Sequence, residues 1–164
     1  MELTTPRLRL RLLEPLELEA LLEGRPLPGR RWAEGYPMEG TLVSAAIQLD
    51  LRRQDRDPGP FGHFQLSLPA DDDIAIGDVA FHAPPDDLGE LSIGFGIVPV
   101  ARRRGFAVEA LRAALAWALA HPEVRSVHAD TDLVNLASQR VLVRAGMHLA
   151  ADEGDRKVFE VHAG

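Results

Sequence analysis

The sequence predicts a single domain, residues 1–164, with a mixed α/β (α+β) fold. The chain is long enough to bury one full hydrophobic core, and it has no cysteine, so no disulfide is expected to support that core. Apolar residues recur with a period of two in some segments and with the helical period in others. Antiparallel strand pairs are expected early in the chain, and a β-α-β-α order follows them.

The first third of the chain predicts one strand, two helices and a long loop. In Arg7–Leu12 arginine alternates strictly with leucine, which is typical of a strand with one solvated face. Pro15 suits the first turn of a helix over Leu16–Leu22. Arg25–Gly40 is rich in proline and glycine, and a loop of this length is usually functional or mobile. A second helix is expected over Thr41–Arg53.

The rest of the chain continues the alternation of strands and helices. The strand segments are short and bounded by proline, aspartate and glycine turns, whereas the helical segments are rich in alanine and leucine. The expected strands are Phe61–Leu68, Ile74–His82, Glu90–Val98 and Ser126–Thr131, with two more in Met147–His162, and the expected helices are Phe106–Ala120 and Asn135–Ala145.

Charge and hydropathy exclude several functions. The chain has 25 acidic and 18 basic residues, and its net charge of −7 repels polyanions, so no nucleic-acid partner is expected. No apolar run approaches the roughly 20 residues of a membrane span. The first residues form no signal peptide, so we expect no membrane partner and a cytoplasmic location. A local basic pocket for a small anion stays compatible with this charge.

The segment Leu91–Leu111 carries the clearest chemistry, because a strand, a basic turn and a helix follow one another in it. Arg102–Arg104 and Gly105 precede the helix, whose first amides lack internal partners and whose dipole adds positive charge. Such a turn can hold a diphosphate. It lacks the Gly-Lys-Ser/Thr of a Walker loop, and Gly94 and Gly96 lie inside a strand, unlike a dinucleotide fingerprint. The alternative is that the arginines only solvate the helix end.

Two motifs resemble the GNAT N-acetyltransferase superfamily. Arg102, Gly105 and Ala107 match its acetyl-CoA pyrophosphate loop, Arg/Gln-x-x-Gly-x-Gly/Ala, in register. Asn135 and Ser138 match its Asn-x-x-Ser helix, and the opening Thr-Pro-Arg-Leu-Arg segment is similar to the first strand of the RimJ/RimL-like branch. The resemblance covers nearly the whole chain. It implies a GNAT fold, with a central mixed, mostly antiparallel seven-stranded sheet, about four helices, and a splay between strands 4 and 5.

The resemblance also implies an activity and a cofactor site. The activity is transfer of an acetyl group from acetyl-CoA, the co-substrate, to a primary amine on a protein N-terminus or a small molecule. The amine attacks directly in a ternary complex, since there is no cysteine to carry the acyl group. The implied cofactor-binding residues are Gly96, Ile97, Val98, Arg102, Arg103, Arg104, Gly105, Phe106, Ala107, Val108, Asn135 and Ser138.

The resemblance points to two catalytic candidates. Glu90 opens the strand on which the family places its general base, and its alternative role is a solvated strand-end glutamate. Asp78, Asp130 and Asp132 are weaker candidates for the same role. Family members often carry a tyrosine at the position of Leu142 to protonate the leaving thiolate. Ser138 is the candidate replacement, and its alternative is a helix serine bonded to a carbonyl one turn back.

The acceptor and the partners are less determined. Tyr36 lies in a loop that would be on the acceptor side in this family, where it either lines the pocket or packs the loop down. The histidines show no metal-ligand spacing, so no metal is expected. A homodimer is left open. Because the family's tyrosine is missing, a non-catalytic module that binds or senses acyl-CoA is the alternative function.

Overall fold

The computed structural model describes all 164 residues and contains one eight-stranded sheet and four helices. The strands are β1 Glu2–Thr4, β2 Arg9–Leu12, β3 His63–Leu68, β4 Ile74–Phe81, β5 Glu90–Ile97, β6 Ser126–Asp132, β7 His148–Asp152 and β8 Arg156–His162. The helices are α1 Pro15–Glu23, α2 Glu39–Arg53, α3 Phe106–Leu119 and α4 Leu136–Arg144. Across the sheet the order is β1-β2-β3-β4-β5-β6-β8-β7.

The sheet has one strand more than the seven expected, and the extra strand is β1. Its three residues pair antiparallel with β2, from Glu2 opposite Arg11 to Thr4 opposite Arg9. Three residues are too few to show a period of two, so the local pattern cannot reveal this strand. β2 begins at Arg9 and not at Arg7, because the Leu8 carbonyl accepts a hydrogen bond from the Thr5 amide in the turn between the strands.

Helices cover both faces of the sheet, and the two faces differ in polarity. Side chains alternate between faces along a strand, so neighbouring residues face opposite helices. Ser44 of α2 contacts His63 of β3, whereas Trp117 of α3 packs against Phe64 and Phe81. The α3 face is therefore apolar, and the α2 face contains buried polar groups.

The sheet divides between β5 and β6. Strands β1 to β5 pair antiparallel throughout, as do β6, β8 and β7. The two halves are joined by a parallel pairing that covers only three residues of β5, from Glu90 to Ser92. The remainder of β5 has no partner in β6. This confirms the splay expected between the fourth and fifth predicted strands.

A close approach between β4 and β5 requires glycine at position 77. A Cβ on Gly77 would lie 2.2 Å from the carbonyl oxygen of Gly96 and 3.1 Å from the Cα of Ile97. Only glycine therefore lets β4 support the unpaired half of β5 at this distance. None of the four helices has the length and apolarity that crossing a membrane requires.

Candidate functional site

The turn between β5 and α3 presents a row of free amides. After the 3-10 turn Pro99–Ala101, Arg103 and Gly105 take left-handed backbone angles, with φ of 63° and 80°. The first backbone bond of α3 runs from the Glu109 amide to the Gly105 carbonyl, at 3.1 Å. The amides of residues 103–108 have no backbone acceptor. Together with the helix dipole, these amides form a site for an anion, which we call the amide cradle.

The arginines of the cradle take different roles. Arg102 donates from Nε to the Ile97 carbonyl at 2.8 Å, which ties the cradle to the end of β5. Arg104 lies over the ring of Phe106, 4.8 Å from its centroid, and Arg7 lies 4.4 Å from the same centroid. Arg7 also donates to the Arg104 carbonyl at 2.8 Å. The cradle is therefore held from both ends before any ligand binds, which reduces the entropy cost of binding.

Glu109 fixes Arg7 behind the cradle. Its carboxylate accepts from the Thr5 hydroxyl at 2.6 Å and from Arg7 Nε at 2.7 Å. Burial by itself would raise the pKa of Glu109, but the hydrogen bonds from Thr5 and Arg7 outweigh it and hold the pKa below its ordinary value. The N-terminal segment is thus linked to the start of α3 by charge.

We expect Glu109→Gln to lower stability near neutral pH and to have little effect in acid. A carboxyl with a depressed folded-state pKa contributes stability above its unfolded pKa and loses it as the pH falls through the folded value. Because Arg7 is half exposed, the contribution is about 1 kcal/mol, or roughly 2–4 °C in Tm. Thermal melts of both proteins near pH 7 and near pH 3.5 measure it.

Glu23→Gln is the matched control, since Glu23 is exposed and its only ion pair, with Arg25, spans 3.8 Å. It should leave Tm unchanged at both pH values. A Glu109→Gln difference that stays constant with pH would show that the carboxylate charge has no part in stability.

The unpaired half of β5 borders an open gap. The His82 amide donates to the Ser92 carbonyl and the Val98 amide to the Ile76 carbonyl, so even-numbered residues of β5 direct their backbone groups toward β4. Backbone direction alternates along a strand, so Phe95 and Ile97 direct theirs into the gap. Of the three strand residues predicted for the cofactor, Ile97 faces the gap, whereas Gly96 and Val98 face β4.

A cleft of about 820 Å³ lies on the α2 side of β4 and β5. Its base is formed by β4 and β5, where Gly94 and Gly96 carry no side chain and so leave space. Its sides are formed by the start of α2 and, across the gap, by Asp132 of β6 and Arg156 of β8. Charged or titratable residues in its lining are Glu39, Asp78, His82, Asp132 and Arg156. The excess of carboxylates over cations favours a positively charged ligand.

A buried hydrogen-bond network supports one wall of this cleft. Asp78 accepts from the Tyr36 hydroxyl at 2.7 Å and from the Thr41 hydroxyl at 2.5 Å. It also lies 2.6 Å from His63 Nε2, while His63 Nδ1 lies 2.9 Å from the Ser44 hydroxyl. With three such contacts, Asp78 is part of the wall and is poorly available as a base.

Tyr36 lies beneath the cleft and does not line it. It is 7% exposed, packs edge-on against Trp32, and its hydroxyl bonds to Asp78. Burial, and secondly the Asp78 carboxylate, raise the pKa of Tyr36 well above its ordinary value. Of the two roles considered for Tyr36, its surroundings match the one that packs the loop down.

His82 is a cleft residue that the sequence analysis missed. It follows the last residue of β4, and its Nδ1 lies 3.0 Å from the Ser92 hydroxyl. Its Nε2 lies 3.1 Å from where a Cβ on Gly94 would be, so the absence of that Cβ leaves room beside the ring. Burial lowers the pKa of His82, against a smaller opposing effect of Asp130. The period of two along β4 was the available signal, because it places His82 on the same face as Asp78.

Glu90 lies outside the cleft lining. It is the first residue of β5, where β5 and β6 are still paired, and its carboxylate lies 3.7 Å from His128 Nε2. Asp132 lines the cleft from the far side of the gap, and Asp130 forms an ion pair with Arg156. Of the four carboxylates considered as the general base, only Asp78 and Asp132 line the cleft, and Asp78 is held in the buried network.

The Asn-x-x-Ser segment forms the start of α4. Asn135 caps the helix by accepting from the Ser138 amide at 3.1 Å. The Ser138 hydroxyl has no hydrogen-bond partner in the structure, which argues against the bond to a carbonyl one turn back. Leu142, one turn further on, is 1% exposed, so its side chain belongs to the core.

The chain is similar to known proteins in sequence and in fold. Residues 7–148 match the family model for the acetyltransferase (GNAT) domain. An uncharacterised N-acetyltransferase of Bacillus subtilis (strain 168), YjdG, is 35% identical over 74 residues, which are 45% of this chain and 44% of that protein. The chain therefore aligns with less than half the length of this curated relative.

Two solved structures show the same fold over nearly the whole chain. One is RimL, a ribosomal L7/L12 alpha-N-protein acetyltransferase in complex with coenzyme A, which superposes with a TM-score of 0.70 at 16% identity. The aligned region covers 99% of this chain and 98% of RimL. An acetyltransferase from Agrobacterium tumefaciens superposes with a TM-score of 0.68 at 22% identity and covers 99% of this chain and 94% of that protein.

Proposed function

Because the chain belongs to the GNAT acetyltransferase family, we propose that it transfers the acetyl group of acetyl-CoA to a primary amine, on a protein N-terminus or a small molecule. The observation that carries the proposal is that the amide cradle continues directly from the unpaired end of β5. A diphosphate in the cradle would direct the attached chain along the gap, where the backbone of Phe95 and the amide of Ile97 have no partner in β6.

The binding residues follow from this placement. The amides of Arg104–Val108 hold the pyrophosphate, together with the terminal NH2 groups of Arg102, whose Nε already donates to the Ile97 carbonyl. Ile97 and the neighbouring backbone of Gly96 and Val98 border the pantetheine arm. Asn135 binds it from the other side with its side-chain NH2, since its carbonyl oxygen already caps α4. The Arg103 side chain adds positive charge near the phosphates.

Catalysis requires a neutral amine. At pH 7 an amine with a pKa near 10.4 needs about 4–5 kcal/mol for deprotonation, whereas an α-amine near 7.8 needs about 1. His82 is the proton acceptor, because it faces the cleft and its depressed pKa keeps it neutral near pH 7. Ser92, hydrogen-bonded to its other ring nitrogen, orients the ring. Glu90 is the competing candidate for the same role.

The transfer itself needs no covalent enzyme intermediate. The amine nitrogen attacks the thioester carbonyl, the C–N bond forms, and the C–S bond breaks to release the CoA thiolate. Free amides in the gap, those of Phe95 and Ile97, stabilise the developing oxyanion. The nitrogen loses one proton as the amide forms and the thiolate gains one, so the step balances if Ser138 relays the proton: its hydroxyl donates to the thiolate as it takes the proton from the nitrogen. The Ser138 hydroxyl has no other hydrogen-bond partner, which leaves it available for this role.

Two measurements test the proposal. Acetyl-CoA at about 100 times its Kd should add about 2.7 kcal/mol of stability, or roughly 5–10 °C in Tm. Release of the CoA thiol is then followed with a panel of peptide N-termini, lysine-like amines and polyamines. The absence of any Tm shift with acetyl-CoA or CoA would contradict the proposal.

The alternative function, a non-catalytic acyl-CoA sensor, is favoured by one observation. Leu142 occupies the position at which family members often carry the tyrosine that protonates the leaving thiolate. The same experiment separates the two functions. Tight binding of acetyl-CoA without thiol release on any amine favours the sensor, whereas turnover favours the enzyme.

A further inference from the structure

Strand register collects histidines and glutamates at the closed end of the gap. His128 of β6 pairs with Glu160 of β8, and Glu160 also pairs with His148 of β7. The three residues therefore form one row across three strands. His162 lies two residues beyond Glu160 and so shares its face of the sheet. We call His148, Glu160 and His162 the histidine cluster.

The polar atoms of the histidine cluster are close together. Glu160 Oε1 lies 3.1 Å from His162 Nε2 and 3.6 Å from His148 Nε2. One ligand atom from each of the three residues lies within 4.8 Å of the others. On the other carboxylate oxygen, Glu160 Oε2 is 3.9 Å from His128 Nδ1. Three histidines thus converge on one carboxylate.

These distances match those between ligands of a small transition-metal ion. Zn²⁺ bonds to nitrogen and oxygen are about 2.0–2.2 Å long, so tetrahedral ligand atoms are separated by about 3.3 Å. The two contacts of Glu160 Oε1 are already close to that separation. The remaining separation, between the ring nitrogens of His148 and His162, is at most 4.8 Å. These side chains are 62% and 57% exposed, so rotation of the rings can shorten it.

We propose that His148, Glu160 and His162 bind a divalent transition-metal ion of the Zn²⁺ class, with a fourth position open to water. Two imidazoles and one carboxylate are a donor set that selects Zn²⁺, Ni²⁺ or Cu²⁺, whereas Mg²⁺ and Ca²⁺ prefer oxygen ligands. His128 Nδ1 lies 3.9 Å from the second oxygen of Glu160, on the side where an outer partner of the carboxylate would stand in a metal site.

The proposal does not depend on acetyl transfer, since its readout is metal binding.

The metal would fasten an exposed edge of the sheet. β7 is the outermost strand on this side, and all five of its residues are exposed. A bond from His148 to the metal links β7 to β8 through side chains as well as through the backbone ladder. Metal binding is therefore expected to raise the thermal stability of the chain.

Titration of chelator-treated protein with Zn²⁺ tests the proposal. We expect one Zn²⁺ per chain by calorimetry, and a rise in Tm of about 5 °C at 100 times the Kd. Mg²⁺ at the same concentration should give no saturable heat. Glu160→Gln and His148→Asn should each weaken Zn²⁺ binding at least tenfold. Glu153→Gln, which changes a carboxylate in the turn at the other end of the β7–β8 hairpin, should bind Zn²⁺ like the wild type.

Thermal melts without metal establish that the variants are folded. Neither altered side chain is fully buried, since His148 is 62% exposed and Glu160 is 23% exposed. If Glu160→Gln fails to fold, His148→Asn alone decides, since its side chain is the more exposed. The proposal is overturned if the wild type binds no Zn²⁺ at 1 mM, if the variants bind it as tightly as the wild type, or if Mg²⁺ binds equally well.

Discussion

Replacing Ala107 by glutamate is expected to weaken acetyl-CoA binding by about 100-fold while leaving the protein folded, since Ala107 is only partly buried. Ala107 is in the first turn of α3, within the amide cradle. A carboxylate there interacts favourably with the helix dipole, by about 0.3–1 kcal/mol. The same carboxylate repels a bound diphosphate, and at a separation of about 5 Å near a protein surface this costs about 3 kcal/mol. Titration calorimetry and thermal melts of the free protein measure the two effects.

Ala107→Gln is the matched control, because glutamine has the size of glutamate without its charge. The glutamine variant measures the steric part of the loss, and a further loss of tenfold or more from glutamine to glutamate measures the charge. That further loss should shrink at high salt, since screening weakens the repulsion. Equal Kd values for the two variants would place the phosphates away from the start of α3.

Replacing His82 by glutamine is expected to lower kcat/KM for a lysine-like amine by about 100-fold near pH 7. The loss should be smaller for an α-amine, because less free energy is needed to deprotonate it. Acetyl-CoA binding should be unchanged, since His82 lines the cleft and no residue of the amide cradle does. In the wild type, the depressed pKa of His82 keeps it a competent base down to moderately acidic pH, and this limb of the pH profile should disappear in the variant.

Glu90→Gln serves as the comparison. If His82 is the proton acceptor, Glu90→Gln changes kcat/KM by no more than a few fold, because Glu90 faces His128 outside the cleft. A large loss in Glu90→Gln together with normal activity in His82→Gln would assign the base to Glu90. Thiol-release assays of both variants across pH give the answer directly.

Some parts of the fold could be predicted because their causes are local. Pro15 begins α1 and Gly24 ends it in a left-handed conformation, as the N-terminal and C-terminal preferences of these residues require. The start of α3 at Phe106, after the left-handed Gly105, is likewise set by neighbouring residues. β1 was missed, because its three residues form a strand only through their pairing with β2.

The site divides in the same way. The amide cradle could be predicted, since its amides belong to six consecutive residues that leave a strand and begin a helix. The orientation of Tyr36 could not be predicted, because its hydroxyl donates to Asp78, which is 42 positions away in the chain. This bond holds the Tyr36 side chain on the α2 face of the sheet. His82 shares the face of Asp78 by the period of two, but the room beside its ring depends on Gly94 of the next strand, which carries no side chain.

By itself the sequence determined the order of the predicted elements and the amide cradle, because periodicity and turn chemistry act between near neighbours in the chain. The family followed from the resemblance of two motifs. The tertiary structure alone decided the number of strands, the lining of the cleft and the gathering of histidines around Glu160. The expectation of no metal rested on spacing along the chain, whereas the histidine cluster arises from the register of β6, β7 and β8. Register is fixed by the core packing of the whole sheet, and no local pattern contains it.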